Sequence, residues 1–339
     1  MIGQDTKEVE RKVITILKVL ANEPKPLGGT VIARRLGERG IFLGERAVRY
    51  HLKLMDERGL TEPNGAKGGR IITPLGRQEL DSALVGDKVG LVISKIELLA
   101  YQTTFNLRSG TGQVPINTTV IPADVFPNAL EAMEETFSAG LCAGDLVIVA
   151  RSGERLADMI VPKDMMAFGT ICSIVVNGCL LKAGIPMDSR FGGLLELQDG
   201  QPSRFVELVE YAGSSLDPSV IFITGKLTRI NQAVRTGNGR ISANFREIPA
   251  ISRSQAEKVA IQLRKWRMSG IYVLGEVSEP VCEIPVGLNK VGVVLLGGLN
   301  PVAAAVESGI QGVNQAMSGV VEYKALCPFT DVLKEYRRR

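Results

Sequence analysis

Two stretches of this 339-residue chain are near-copies of one another. RSGTGQVPINTTVIPA (108–123) returns as RTGNGRISANFREIPA (235–250). Arg108 aligns with Arg235, Asn117 with Asn244, and Ile121-Pro122-Ala123 with Ile248-Pro249-Ala250, all at one offset of 127 residues. A shared offset across a whole segment marks a duplicated structural unit, which constrains any fold the chain can take. The repetition continues downstream. FGTICSIVVNGCLLKAGI (168–185) aligns with KVGVVLLGGLNPVAAAVESGI (290–310), pairing Gly169 with Gly292 and Asn177 with Asn300 at an offset of 123, and GGLLEL (192–197) echoes SGVVEY (318–323). Two units of similar mixed α/β plan follow, 86–212 and 213–330, expected to pack as a pseudo-dimer with a cleft between them. Residues 331–339 are left as a basic C-terminal tail.

The glycines of the repeated segment do not read as a phosphate loop. Such a loop needs a strand entering it and a helix beginning at once, so that backbone N–H groups and the helix dipole meet the anion. Here Phe105 and Leu107 before the glycines, and Val114 and Ile116 after them, alternate with polar residues as paired strands do. A β-hairpin turn is expected, with Pro115 marking an edge or a bulge. The next helical pattern comes later: Phe126, Leu130, Met133 and Phe137 in one copy, and Val259, Leu263 and Trp266 in the other. Ser254 and Glu257 are placed to form a capping box for the latter.

The chain is 45% hydrophobic, so it can bury a sizeable core. No apolar run of membrane-spanning length is free of charges or turn formers. Neither a signal peptide nor a C-x-x-C pattern is present, and five cysteines fit a reduced cytoplasm. The net charge of +4 is unevenly placed. Residues 1–84 hold 15 Lys and Arg against 11 Asp and Glu, and the remainder is balanced at 25 and 25. The whole cationic surplus sits in the first quarter, which points to a polyanion partner for that segment.

That first segment reads as a winged helix-turn-helix over residues 1–85. Val13, Ile16, Leu17 and Leu20 recur at helical spacing, and a shorter helix follows over Val31–Leu36. ERAVRYHLKLMDERG then supplies a third helix, with Val48, Leu52 and Met55 inward and Arg46, Arg49, Tyr50 and Lys53 outward. Two short strands, Leu60–Glu62 and Arg70–Thr73, flank PNGAKGG as a wing carrying Lys67 and Arg70, and TPLGRQEL opens another helix. A cationic stripe with an aromatic suits a major groove, where cations meet phosphates and base edges. The helix alone would equally fit a solvated outer face. His51, the chain's single histidine, fits packing as well as DNA contact. One such unit makes few base contacts, so a homodimer that couples two half-sites is expected.

An effector site is expected where each copy of the second common segment runs through glycine and asparagine into a helix. Asn300 would be an N-cap followed by Pro301, and Asn177 would play the same part in the first copy. Two helix starts facing one another would attract an anion, although each asparagine taken singly fits simple capping. Arg190 in MDSRFGG offers a guanidinium for a carboxylate. Thr170, Cys172 and Ser173 would line the pocket, and Cys172 fits an inert core position equally well. The large region has no histidine and no paired carboxylates, so neither catalysis nor a metal is expected there, and no cofactor is assigned.

The winged-helix segment, together with GTICSIVVNGCLLKAGIP and SRFGGLLEL, resembles the NrpR nitrogen-regulation repressors over nearly the whole chain. The resemblance implies a dimeric, cytoplasmic repressor of nitrogen-assimilation genes that 2-oxoglutarate releases from operator DNA. By position in the winged-helix family, Arg46, Arg49, Tyr50 and Lys53 would be groove contacts, and Lys67 and Arg70 wing contacts. Two rivals stand beside this reading. One is an enzyme acting on a small carboxylic acid with a fused regulatory winged helix. The other is an interaction module whose winged helix docks on a protein or RNA.

Overall fold

In a computed structural model the chain is described over residues 2–38, 40–64, 68–81, 90–268 and 271–337. It forms two compact units, Met1–Lys88 and Val89–Arg339. In the first, helices α1 (Ile2–Ala21), α2 (Gly29–Gly37) and α3 (Glu45–Glu57) precede strands β1 (Thr61–Pro63) and β2 (Arg70–Ile72) and helix α4 (Pro74–Asp81). The amphipathic spacing read from the sequence is realised: Val13, Ile16, Leu17, Ile32, Leu36, Val48, Leu52 and Met55 share one core. Gly59 ends α3 at φ +71°, a left-handed conformation that costs glycine little, and the Leu60 N–H turns back to donate to the Met55 carbonyl at 2.9 Å. β1 and β2 pair antiparallel, Thr61 opposite Ile72. Three helices and a two-stranded wing make a winged helix. Lys67 lies outside the described residues.

The second unit contains α5 (Leu91–Gln102), β3 (Gln113–Pro122), α6 (Phe126–Ser138), β4 (Leu146–Arg151), β5 (Arg155–Leu156), β6 (Met159–Ile160), β7 (Met165–Ile171), α7 (Ile174–Lys182), β8 (Asp188–Gln198) and β9 (Gln201–Glu210). There follow α8 (Pro218–Thr224), α9 (Ile230–Thr236), β10 (Gly239–Pro249), α10 (Arg253–Lys265), β11 (Ile271–Val277), β12 (Lys290–Leu296), α11 (Asn300–Glu307), β13 (Val313–Glu322), β14 (Cys327–Pro328) and α12 (Phe329–Arg337). Two five-stranded sheets result, in the orders β13-β3-β7-β4-β14 and β11-β12-β10-β8-β9, with every pairing antiparallel. Val294 and Leu296 enter one core while Val291, Val293 and Leu295 enter another, so β12 is buried on both faces. That is why KVGVVLL reads as an unbroken apolar run and not as an alternating strand.

The duplication is one of sequence and element order, and its sheets are interlaced. β8, from the first copy, pairs with β10 of the second, and β13, from the second copy, pairs with β3 of the first. Gly193 stands opposite Ala243 and Gly319 opposite Ile116, which are equivalent positions in the repeat. The boundary at 212/213 therefore separates two sequence copies and not two sheets. β3 is central, so Pro115 does not mark an edge. Its missing N–H falls opposite Val320, beside a register shift between Gln315 and Gly319 in β13.

Four local expectations are corrected. The repeated glycines turn no two-stranded hairpin. In the first copy only Asn106 and Thr111 bridge, and in the second Gly237, at φ +73°, caps the C-terminus of α9. The Ser254–Glu257 capping box is absent because α10 begins at Arg253, with the Ser252 hydroxyl donating to the Pro249 carbonyl at 2.7 Å. The second common segment is offset by 125 and not 123, since Ile171 lies opposite Ile116 and Leu296 opposite Ala243. A slip of two keeps every strand residue on its own face, so the hydrophobic pattern does not expose it. Finally, residues 331–337 are no tail: they belong to α12, whose Arg337 pairs with Glu134 at 2.7 Å and Glu131 at 3.7 Å.

Strand exchange has a direct test. Fragments 89–212 and 213–339 should each lack tertiary structure by near-ultraviolet circular dichroism, and mixing them should restore the full signal. A natively structured single fragment would contradict the interlaced topology.

Candidate functional site

On α3 the burial of Val48, Leu52 and Met55 leaves Arg46, Arg49, Tyr50 and Lys53 on the exposed side, with Tyr50 60% exposed and Phe42, just before the helix, 90% exposed. Arg49 pairs with Glu45, and Lys53 approaches Glu57 at 4.0 Å. Exposed i,i+4 pairs of this kind contribute only about 0.3–0.5 kcal/mol, so either cation can be given up to a phosphate at little cost. Arg70 is placed differently from its expected wing role. Its Nε donates to Asp56 at 2.7 Å, and the same carboxylate accepts from the Thr61 hydroxyl at 2.6 Å. Arg70 thus braces the root of the wing against α3. His51 is 5% exposed, and burial, followed by the Lys12 charge, holds its imidazole below the ordinary value; it is a packed residue.

In the second unit a narrow pocket that opens to solvent is bounded by both copies of the repeat. The starts of both equivalent helices reach it: Cys172, Ser173 and Ile174 at α7, and Gly297, Gly298 and Leu299 at α11. Gly298 has to be glycine, since an added Cβ would lie 2.1 Å from the Ile171 carbonyl oxygen. From β10 come Ser242, Asn244 and Arg246, spaced by two on one face of the strand. Arg246 is 1% exposed, its guanidinium lies 4.5 Å from the Tyr211 ring centre, and its Nη1 donates to the Phe245 carbonyl at 3.3 Å. Arg246 Nε and Ser242 Oγ are buried without a hydrogen-bond partner. Tyr211 donates to Asn244 Oδ1 at 2.5 Å, and Asn244 Nδ2 donates to Ser173 Oγ at 3.2 Å. Burial pushes the Cys172 thiol and the Tyr211 phenol up to about 12, and raises the Asp217 carboxyl.

Of the residues expected to hold an effector, Cys172 and Ser173 lie on this cavity and four others do not. Thr170 is buried in β7, with Asn117 and Val147 as its register partners and its hydroxyl without a hydrogen-bond partner. Asn177 sits in the middle of α7 and not at its start, with Nδ2 donating to Ser189 at 3.2 Å. Asn300 is no N-cap. It is fully buried, takes the Ser242 N–H at 3.0 Å, and donates to the Leu141 and Ser242 carbonyls at 3.1 and 3.0 Å, which occupies its amide. Arg190 is the extra residue of a bulge in β8 and meets Glu247 at 2.8 Å. Glu247 also takes Lys290 at 2.9 Å and the Gly287 N–H at 2.9 Å. Arg246, Tyr211 and Ser242 were missed. The available signal was polar Ser242, Asn244 and Arg246 alternating inside an otherwise buried strand.

Comparison with known proteins gives this arrangement a family. The model of NrpR regulatory domains 1 and 2 matches residues 89–328, and that of the ribonuclease R winged-helix domain matches residues 14–80. The chain belongs to the NrpR family. It is 36% identical to the global nitrogen regulator NrpRI of Methanosarcina mazei, over 94% of this chain and 98% of that protein. It is 33% identical to the NrpR regulator of Methanococcus maripaludis and 32% identical to that of Methanocaldococcus jannaschii, over 87% and 94% of this chain. It spans 51% and 55% of the length of those two proteins. A solved nitrogen repressor-like protein from Methanococcus jannaschii superposes with a TM-score of 0.60 at 26% identity, covering 71% of this chain and 98% of that one. These relatives are regulators, and the NrpR family is a family of regulators and not of enzymes.

The Glu247 cluster sets an acid limit. Burial raises this carboxyl, but the Gly287 N–H, Lys290 and Arg190 together outweigh burial and hold it below the usual range. A depressed carboxyl stabilises the fold fully above its unfolded value of about 4.3, and that contribution is lost as pH falls through the folded value. Arg190 and Lys290 are 50% and 37% exposed, so solvent screens part of the effect. Glu247→Gln should cost on the order of 1–3 kcal/mol at neutral pH. Below about pH 4 the difference should shrink, as measured by urea unfolding at several pH values.

Proposed function

We propose that the chain is a transcriptional repressor of nitrogen-assimilation genes. It holds operator DNA through α3 as a homodimer, and a small dicarboxylate, 2-oxoglutarate, releases it from a seat in the cavity of the second unit. One observation carries the reading. A winged helix with an exposed cationic helix face belongs to the same chain as a duplicated unit whose cavity contains a buried guanidinium with an unpartnered Nε. The winged helix supplies the contact with a polyanion, and the cavity supplies a place for a small anion. Arg46, Arg49, Tyr50 and Lys53 are the groove contacts of this reading. Lys67, between β1 and β2 in the sequence, is assigned to the phosphate backbone, and Arg70 acts through the shape of the wing.

The effector reading draws on the family and on chemistry. The NrpR relatives are nitrogen regulators, and 2-oxoglutarate is the carbon skeleton that accepts nitrogen. A dicarboxylate matches a cavity bounded by two helix starts, whose dipoles favour negative charge, and by a guanidinium. The competing reading, chemistry on a small acid, would need a nucleophile or base in the cavity. Cys172, with its thiol raised to about 12, is a poor one at neutral pH.

Two measurements test the proposal. Arg49→Ala should weaken binding to the preferred operator by roughly tenfold or more and lower the preference over random duplex in a mobility-shift titration. The Lys53→Ala loss should be sequence-independent and should flatten the dependence on salt. With intact protein, 2-oxoglutarate should raise the concentration needed to shift the operator. Unchanged operator binding across a full titration would defeat the effector assignment.

A further inference from the structure

We infer that Phe42 reads a thymine methyl in the major groove, as a specificity-determining contact placed just ahead of α3. The inference rests on the DNA-binding reading above and adds to it a residue outside the recognition helix. Phe42 is 90% exposed, and it is the only exposed one of the chain's ten phenylalanines. A single apolar side chain on a surface is ordinary and marks nothing by itself. Its setting is what distinguishes this one. The segment GIFLG (40–44) joins α2 to α3 and is held at both ends. The Ile41 N–H donates to the Leu36 carbonyl at 2.9 Å, and the Val48 N–H donates to the Gly44 carbonyl at 3.0 Å. Between these anchors Leu43 packs against the core of the winged helix, while the preceding Phe42 is left in solvent. Gly40 and Gly44 on either side face open space, so a duplex can approach the ring closely.

What lies beside the ring decides the partner. The exposed face of α3 begins at Arg46 and continues through Arg49, Tyr50 and Lys53, a spacing that stacks them on one side of the helix. A recognition helix in a major groove brings its N-terminal residues to the base edges, and Phe42 stands three positions before Glu45, the first residue of α3. An apolar protein partner would call for apolar neighbours around Phe42. The exposed side chains that follow are instead three cations and an amphipathic tyrosine, which suit a polyanion. The apolar group on the edge of that groove is the thymine C5 methyl, and phenylalanine is among the side chains that meet it. The cations of α3 hydrogen-bond phosphates and base acceptors, and none of them makes apolar contact with a methyl. Phe42 supplies that contact without adding charge, so it adds preference without adding counterion release.

Removing the methyl from the DNA and the ring from the protein tests this. The full chain first selects its preferred duplex from a randomised pool. Mobility-shift titrations then compare that duplex with copies in which uracil, which lacks the methyl, replaces thymine at one position at a time. At one thymine per half-site the replacement should weaken wild-type binding by roughly threefold to tenfold, the scale of one or two buried methyl-sized groups. Phe42→Ala should weaken binding to the thymine duplex by at least as much and should be indifferent to uracil at that position, so that the two losses do not add. Phe42→Leu should keep part of the discrimination, and the salt dependence should keep its slope in both variants. Thermal unfolding of both should match wild type, since the side chain is exposed. Undiminished binding by Phe42→Ala, losses that add at every uracil, or a flattened salt slope would overturn the contact and leave DNA binding in place. A wild-type chain indifferent to uracil at every position would overturn it as well, whatever the variants do. A chain that selects no sequence from the pool would defeat the DNA-binding reading itself, and this contact with it.

Discussion

The second unit depends on the exchange of two strands. β3 and β10 each lie inside a sheet, and each is completed on one side by a strand that the other copy contributes. A central antiparallel strand needs partners for the N–H and C=O groups on both its edges, and unpaired groups in a buried strand are costly. Neither copy can meet that demand alone. The same exchange brings Gly192 and Gly193 of β8, Met317 of β13 and the faces of β3 and β10 around one cavity. The close approach this requires is visible at Gly192, where a Cβ would sit 2.8 Å from Pro218 and 3.0 Å from the Tyr211 hydroxyl. The cavity is thus a consequence of how the sheets are completed.

Adjacent residues on β10 place opposite charges in different surroundings. Strand alternation sends Arg246 and Glu247 to opposite faces. Glu247 is saturated: two cations and a backbone amide converge on a carboxylate that is almost fully buried. Arg246 has the Phe245 carbonyl, the Tyr211 ring and the nearby Asp217 carboxyl. Arg190, the arginine that stands out in the sequence between glycines and a turn, belongs to the Glu247 side.

What the sequence made legible follows from how local each signal is. The winged helix was legible because the 3.6-residue spacing of Val48, Leu52 and Met55 places the inward face of α3 and, by exclusion, the outward cations. The duplication was legible because it is periodic. The partner of each sheet edge was not, because strand order is a long-range property that a repeat does not encode. The helix starts were misread at Asn177 and Asn300 because a two-residue slip leaves strand faces unchanged and shifts the helix register by more than half a turn. Asn300 had the right residue type for a cap, yet its amide is drawn into β10 and the Leu141 carbonyl instead. Arg246 was hidden by its own alignment. It falls in the conserved frame of the repeat, opposite a threonine in the first copy, so the difference between copies was the clue and the similarity drew attention away from it.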